Sequence, residues 1–245
     1  MPPAESSHNR SVIDANFQVP QGLEYTATLA WATSGAVVGI RKEFDLTGVF
    51  VVALLSASGG GLIRDAVFLQ RTPVLLVNPI YLILIGGTTL LMAMFTVPLT
   101  RLLRDETFSK LVDLIDAIGT PAFAVIGMQL ALDRQLPIIA VIFIGVANGV
   151  AGGLLRDIVV RDVPSLLRPG QFVSLALVIV CGFFIALRHY SHLSPTEAGW
   201  ATVAAFVFIR VTAVRFNWRT RSIAERGATL GIVHDSDSDR EPADR

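Results

Sequence analysis

The chain carries one unusual run of residues twice, each time inside an apolar stretch. Residues 58–65 read SGGGLIRD, and residues 150–157, which lie 92 positions later, read VAGGLLRD. Glycine weakens a helix, and a charged side chain is costly at the depth of a membrane. Because both copies place glycines and an Arg-Asp pair at matching positions, we predict that the chain builds a polar path through a bilayer.

The composition separates the chain from ordinary soluble domains and from enzymes. It is 52% hydrophobic and 16% charged, with a mean hydropathy of +0.59, which is too apolar for a soluble domain. The formal net charge is zero, so nothing indicates a nucleic-acid partner. The sequence contains no phosphate-binding P-loop, HExxH motif or nucleophile elbow. We therefore expect no catalytic residues, no metal site and no cofactor.

Seven apolar segments predict an all-α integral membrane protein with seven transmembrane helices. The segments are residues 23–40, 46–69, 79–99, 111–132, 136–160, 171–187 and 196–214. Most of them are long enough to cross roughly 30 Å of hydrocarbon at about 1.5 Å per residue. Basic residues are concentrated in the loops that lie inside when the N-terminus is outside, which predicts an external N-terminus and a cytoplasmic C-terminus.

The repetition extends beyond the glycines and predicts a repeat unit of three spans. Residues 36–39 (AVVG) resemble residues 124–127 (AVIG), and Asn78-Pro79 resembles Arg168-Pro169. A repeated unit with an odd number of spans inserts in opposite orientations, so we predict two inverted repeats related by a pseudo-two-fold axis in the membrane plane. The predicted parts are a polar N-terminal segment at 1–22, repeats at 23–104 and 105–190, a seventh helix at 191–215, and a disordered cytoplasmic tail at 216–245.

We predict that the second and fifth helices are broken at their glycine clusters near the middle of the membrane. Backbone carbonyls freed at such a break suit a partly dehydrated cation. The predicted pore and hinge residues are Ser58, Gly59, Gly60, Gly61, Asn148, Gly149, Gly152 and Gly153. For the glycines alone a packing role is equally open, because small residues let membrane helices approach closely. The duplicated charges favour a pathway.

The charged residues of the two runs are the predicted gate. Neighbouring helical residues point about 100° apart. We therefore expect the pairs to form across the repeats, Arg64 with Asp157 and Arg156 with Asp65.

Three further polar residues are weaker candidates. Asp113 and Asp116 share a helix face at a spacing of three residues, which predicts either a cation vestibule or a solvated turn. Asn148 either coordinates a solute or makes a hydrogen bond between helices.

These motifs resemble the bacterial membrane family related to TRIC (trimeric intracellular cation) channels, which is also described as a glycine transporter family. The resemblance covers residues 23–214 and rests on these segments: 34–36 (SGA), 45–48 (DLTG), 59–65, 71–73 (RTP), 116–119 (DAIG) and 149–157. It implies a homotrimer with a pore inside each seven-helix subunit, lined by helices 2 and 5. It also implies conduction of monovalent cations, K⁺ and Na⁺. The second run departs from the family pattern, since Ala151 stands where a third glycine is common.

The sequence therefore favours a passive, potassium-permeable cation channel among the lipids of a bacterial inner membrane. The rival is a small-solute carrier, with glycine as the candidate solute, because half-helix N-termini can hold a carboxylate. The two arginines fit this rival better than they fit a cation pore. A third class is a non-transporting scaffold, in which the glycines only pack.

Overall fold

The computed structural model describes residues 21–95, 105–167, 173–191 and 193–216, and within these ranges the chain is helical with no β-strand. The helices are α1 Gln21–Arg41, α2 Leu46–Ile63, α3 Val74–Val77, α4 Ile80–Met94, α5 Asp105–Asp133, α6 Ile138–Val159, α7 Val173–Tyr190 and α8 Pro195–Arg215. A π-helical turn, Arg64–Phe68, continues α2, and a 3₁₀ turn, Ser165–Leu167, follows α6. The predicted all-α class is confirmed.

Seven of the described helices have 15 residues or more, and each overlaps one of the seven predicted segments. Four of them are long and apolar enough to cross a membrane: α2 with its π-helical turn, most of α5, α6 and α7. Many large apolar side chains remain on the outer surface, such as Ile139 at 84% exposure, as expected where lipid is the neighbour. The predicted polar N-terminus, the Arg168-Pro169 site and the predicted cytoplasmic tail lie almost wholly outside the described residues.

The predicted helix breaks at the glycine clusters are wrong. Helix α2 continues through Gly59–Gly61 to Ile63, and α6 continues through residues 149–153 to Val159. The first run does contain an irregularity, but it lies one turn later, where the Leu69 amide donates to the Arg64 carbonyl at 2.9 Å. The backbone carbonyls near the glycines therefore belong to continuous helices and are not freed by a break.

The glycines serve close packing, which explains why the helices do not break. A Cβ atom at Gly60 would overlap the carbonyl oxygen of Asn148, and one at Gly152 would overlap the carbonyl oxygen of Ser56. Helices α2 and α6 thus approach backbone to backbone. This contact offsets a loss of helix propensity of about 1 kcal/mol per glycine.

The crossing of α2 and α6 is antiparallel and reciprocal. Gly152 lies 92 residues after Gly60, and Asn148 lies 92 residues after Ser56. The contact of Gly60 with Asn148 therefore has its counterpart in the contact of Gly152 with Ser56. A local two-fold axis produces reciprocity of this kind.

The same offset relates the packing of α1 on α2 to that of α5 on α6. A Cβ atom at Gly35 would lie 2.8 Å from the Val52 carbonyl oxygen, and one at Gly127 would lie 3.1 Å from the Ile144 carbonyl oxygen. The predicted match of residues 36–39 with 124–127 is therefore wrong by four residues. A slip of about one helical turn keeps the same face, which is why the two segments look alike.

Candidate functional site

Two cavities with charged residues in their linings lie on opposite sides of the α2–α6 crossing. The first, here called the Arg156 cavity, is lined by residues that include Trp31, Asp113, Asp116, Thr120, Gly153 and Asp157. The second, the Arg64 cavity, is lined by residues that include Glu24, Thr28, Ser58, Gly61, Arg64 and Tyr81. Their volumes, including the open mouths, are ≈ 460 Å³ and ≈ 360 Å³. Each cavity lies at the C-terminal end of one of two antiparallel helices, so the crossing separates them.

Beside the Arg156 cavity, one buried guanidinium ties three helices together. Arg156, on α6, is 2% exposed, and its Nε donates to Asp157 Oδ1 at 2.8 Å. Its Nη1 donates to both carboxylate oxygens of Asp116 on α5, at 3.0 and 3.1 Å, and to the Ser34 hydroxyl on α1. Ser34 in turn donates to Asp116 Oδ1 at 2.7 Å. The guanidinium also lies 5.5 Å from the centre of the Trp31 ring, which adds a cation–π attraction.

The Arg64 cavity holds the corresponding arginine in a different arrangement. Arg64, 1% exposed, donates from Nε and Nη2 to the two carboxylate oxygens of Asp65, at 2.6 and 2.9 Å. Asp65 also accepts hydrogen bonds from Arg71 at 3.0 Å and from the Val74 amide at 3.2 Å. The remaining nitrogen, Arg64 Nη1, has no hydrogen-bond partner among the described residues.

The expected pairing of charges across the repeats is wrong. Each arginine bonds the aspartate beside it in its own run. The physical reason is the antiparallel crossing, because each Arg-Asp pair lies one turn beyond its glycines and the two turns extend in opposite directions. Arg64 therefore lines one cavity, whereas Arg156 is bonded to two aspartates that line the other.

Shifting the numbering by 92 residues relates the two cavities, and this shift identifies residues that the sequence analysis missed. Glu24 corresponds to Asp116, and Thr28 corresponds to Thr120. Both members of each pair line a cavity. The sequence repeat could have indicated Glu24, since Glu24 lies 92 positions before the candidate residue Asp116. Nothing in the sequence pattern pointed to the contact of Ser34 with Arg156.

Two buried side-chain oxygens lie at the crossing itself. Ser56 Oγ and Asn148 Oδ1 occupy corresponding positions, and neither has a hydrogen-bond partner in the part of the chain that the structure describes. The amide nitrogen of Asn148 donates to the Phe123 carbonyl on α5. Asn148 therefore makes the hydrogen bond between helices that was one of its two predicted roles, and its oxygen stays available.

The other predicted site residues are divided between the cavities and the packing surface. Ser58 and Gly61 line the Arg64 cavity, and Gly153 lines the other. Gly59 faces the Leu155 side chain, and a Cβ atom at Gly149 would lie 2.7 Å from the Thr120 carbonyl oxygen.

The two acidic candidates on α5 both line the Arg156 cavity. Helix α5 begins at Asp105, so Asp113 and Asp116 lie inside it rather than at its first turn. The described residues contain no group of three or more His, Cys, Asp or Glu side chains that could hold a metal ion.

Comparison with known sequences agrees with the duplicated architecture. The sequence model of the family described as Glycine transporter matches the chain twice, over residues 21–97 and 113–189, which are again 92 positions apart. The chain belongs to this family. It is 34% identical over 186 residues to the UPF0126 membrane protein of Deinococcus radiodurans, covering 76% of this chain and 84% of the relative. It is 29% identical over 206 residues to the UPF0126 inner membrane protein YadS of Escherichia coli strain K12, covering 82% and 95%.

Comparison with solved structures relates the fold of this family member to that of TRIC channels. The chain is similar to the TRIC trimeric intracellular cation channel orthologue from Rhodobacter sphaeroides, with a TM-score of 0.72 and 26% identity, covering 80% of this chain and 97% of that one. A second structure, described for its basis of conductance through TRIC cation channels, gives a TM-score of 0.71 and 27% identity, covering 84% and 97%. The protein is therefore a member of a bacterial TRIC-like membrane family.

Proposed function

We propose that the protein is a passive channel for monovalent cations, K⁺ among them, with one pore inside each subunit. The pore runs from the Arg64 cavity, past the crossing of α2 and α6, into the Arg156 cavity. In the described conformation it is closed at the crossing, where Gly60 and Gly152 pack against the backbone of the facing helix. Opening requires these two helices to separate or rotate.

The observation that carries this proposal is the pair of cavities, each with charged residues in its lining, on the two sides of one crossing. The charged residues lining the Arg64 cavity are one guanidinium and two carboxylates. Those lining the Arg156 cavity are one guanidinium, that of Arg210, and three carboxylates, two of which are bonded to the buried Arg156. Each lining carries more carboxylates than guanidiniums, so both cavities attract cations. Buried oxygens without partners at the crossing, Ser56 Oγ and Asn148 Oδ1, are ligands for a partly dehydrated cation.

The likeness to TRIC channels supports the finer parts of the proposal. We propose a homotrimer, because the matched orthologue is a trimeric channel. We propose the bacterial inner membrane as its location, since one relative is named an inner membrane protein. We also propose seven membrane-crossing helices, the first six of which form two inverted repeats. The antiparallel crossing of α2 and α6 supports this arrangement.

A second candidate is a carrier for a small solute such as glycine. It is favoured by the description of the matching family and by the partnerless nitrogen of Arg64. A carrier moves solute saturably and gives no unitary current steps, so one set of recordings separates it from a channel.

Unitary currents of the purified protein in a planar bilayer test the proposal. In symmetrical KCl we expect discrete current steps that rise linearly with voltage. Saturable glycine uptake into vesicles without current steps would instead establish the carrier. The absence of both activities would favour a non-transporting scaffold.

Cysteine modification tests where the ions pass. In a Cys181→Ala background, Ser58→Cys places a thiol in the Arg64 cavity, so a cationic methanethiosulfonate reagent should reduce the current. Val51→Cys is the matched control on the same helix, because Val51 is 41% exposed on the outer surface of the protein. If the reagent reduces both currents equally or neither, this cavity is not the pore.

A further inference from the structure

The Arg156 cavity has one wall that the internal repeat does not supply. Many residues that line one cavity lie 92 positions from a residue that lines the other, as Trp31 does from Phe123 and Asp157 from Asp65. The lining of the Arg156 cavity also includes side chains of α8. This helix follows both matches of the family model, which end at residues 97 and 189. Helix α8 therefore adds to this cavity something that the other cavity lacks.

The main contribution of α8 is a buried guanidinium. Arg210 is 8% exposed, whereas Arg215, at the C-terminal end of the same helix, is exposed. A long basic side chain near the end of a membrane helix normally extends to the water outside. Arg210 instead lines the Arg156 cavity, together with Phe206 one turn before it. A charged side chain kept inside a membrane protein is costly, and this cost indicates a functional role.

Arg210 changes the charge balance of the cavity. Three carboxylates line the cavity, and the buried Arg156 is bonded to two of them, Asp116 and Asp157. The third carboxylate is that of Asp113. Two guanidiniums thus accompany three carboxylates, which leaves one negative charge; without Arg210, two negative charges would remain. A larger negative charge raises the concentration of cations in a cavity.

We propose that Arg210 is a tethered cation that limits how many mobile cations the Arg156 cavity holds, and that it thereby sets the conductance and the cation selectivity of the pore. Arg210 lines the same cavity as the carboxylates that an entering K⁺ approaches. It therefore repels that ion and competes with it for these carboxylates. This inference rests on the proposed channel function and gives α8 a part in it.

Single-channel recordings of Arg210→Gln and Arg215→Gln test the proposal. Each variant removes one positive charge from α8, but only Arg210→Gln removes it from the cavity. In roughly 20 mM KCl, the K⁺ conductance of Arg210→Gln should be about two- to fivefold higher than that of the wild type, and Arg215→Gln should match the wild type. In about 1 M KCl, where the Debye length is about 3 Å, the difference should largely disappear. In a KCl gradient, the reversal potential of Arg210→Gln should shift towards the K⁺ equilibrium potential.

Two further variants keep the proposal testable if Arg210→Gln does not fold. Arg210→Lys keeps the positive charge, so its conductance should stay close to that of the wild type. Combining Arg210→Gln with Asp113→Asn restores the net charge of the cavity, so the conductance of the double variant should also return to near that of the wild type. A purely structural role for Arg210 predicts neither this recovery nor the dependence on salt.

Binding of free guanidinium tests the same role without any current. Arg210→Ala removes the tethered cation and leaves space for a soluble one beside the carboxylates, which can accept its charge-assisted hydrogen bonds. Calorimetric titration of the full-length protein in nanodiscs with guanidinium chloride should therefore show one site per subunit in Arg210→Ala. The wild type and Arg215→Ala should show no such site at the same concentrations.

Two results would overturn the proposal. One is a conductance of Arg210→Gln that is no higher than that of the wild type in low salt, and the other is an Arg210→Ala variant that does not bind guanidinium. A wild type without unitary currents would refute the channel proposal instead. The guanidinium titration would then still decide whether Arg210 occupies a cation position in the cavity, so the two failures are distinguishable.

Discussion

At the scale of single residues, the sequence identified the buried charges but assigned them the wrong partners. The Arg-Asp runs stood out because charge is rare in apolar segments. Their partners depend on where along α2 and α6 the two helices cross, and no local pattern encodes that point; the contacts of Gly60 and Gly152 place it before both Arg-Asp pairs. Ser34 illustrates the difficulty, because its contact with Arg156 joins residues 122 positions apart.

The Arg156 cluster should be a major source of stability. Arg156→Gln removes the guanidinium that neutralises two carboxylates, so the free energy of unfolding should fall by about 3–5 kcal/mol. Unfolding by SDS titration measures the change. Adding Asp116→Asn to this variant should recover part of the loss, because one unpaired buried carboxylate is then removed.

The matched control for this variant is the ion pair between Lys42 and Asp162. It has a short contact of 2.6 Å, but its side chains are 33% and 39% exposed. Water screens such a pair, so Lys42→Ala should cost no more than about 1 kcal/mol. Equal losses for Lys42→Ala and Arg156→Gln would contradict the role given to the buried cluster.

At the scale of helices, the sequence predicted the position of nearly every element and misjudged the glycine clusters. Apolar segment lengths were sufficient to place seven helices. Helix propensity alone, however, cannot distinguish a break from a close crossing, since both require glycine. The deciding contacts are with backbone oxygens of a helix about 90 residues away, as between Gly60 and Asn148.

Neighbouring glycines of α2 provide a sharp test of the packing role. A Cβ atom at Gly60 would overlap a backbone oxygen of α6, whereas one at Gly61 would meet only Arg64 Nη2 at 3.7 Å. Gly60→Ala should therefore destabilise the protein by about 1–3 kcal/mol. Gly61→Ala should be neutral or stabilising by up to about 1 kcal/mol, through helix propensity.

The SDS unfolding midpoints of these two variants measure the difference. The substitution is the same at both sites, and the sites are adjacent on one helix. The effects of helix propensity and of the lipid environment therefore cancel when the two variants are compared. If both variants shift the midpoint by the same amount in the same direction, close packing at Gly60 is not what holds the crossing together.

At the scale of the whole molecule, internal repetition was the most informative property of the sequence. The offset of 92 residues, read from the glycine runs, also relates Glu24 to Asp116 and Ser56 to Asn148. The register of the first helix was nevertheless misread by about one turn, because apolar helices repeat small residues on the same face. Only the contacts of Gly35 and Gly127 with their neighbouring helices fixed it.

The orientation of the two repeats in the membrane is the last prediction. Glu43 and Gln135 occupy corresponding turns, 92 residues apart, and both have left-handed backbone angles, with φ of 58° and 55°. Glu43 follows Arg41 and Lys42, and these basic residues predict that its turn faces the cytoplasm. If the repeats are inverted, a membrane-impermeant maleimide should label Gln135→Cys in intact cells and Glu43→Cys only after permeabilisation, both in the Cys181→Ala background. Labelling of both positions from the same side would show that the repeats are parallel, and the pseudo-two-fold axis could then not lie in the membrane plane.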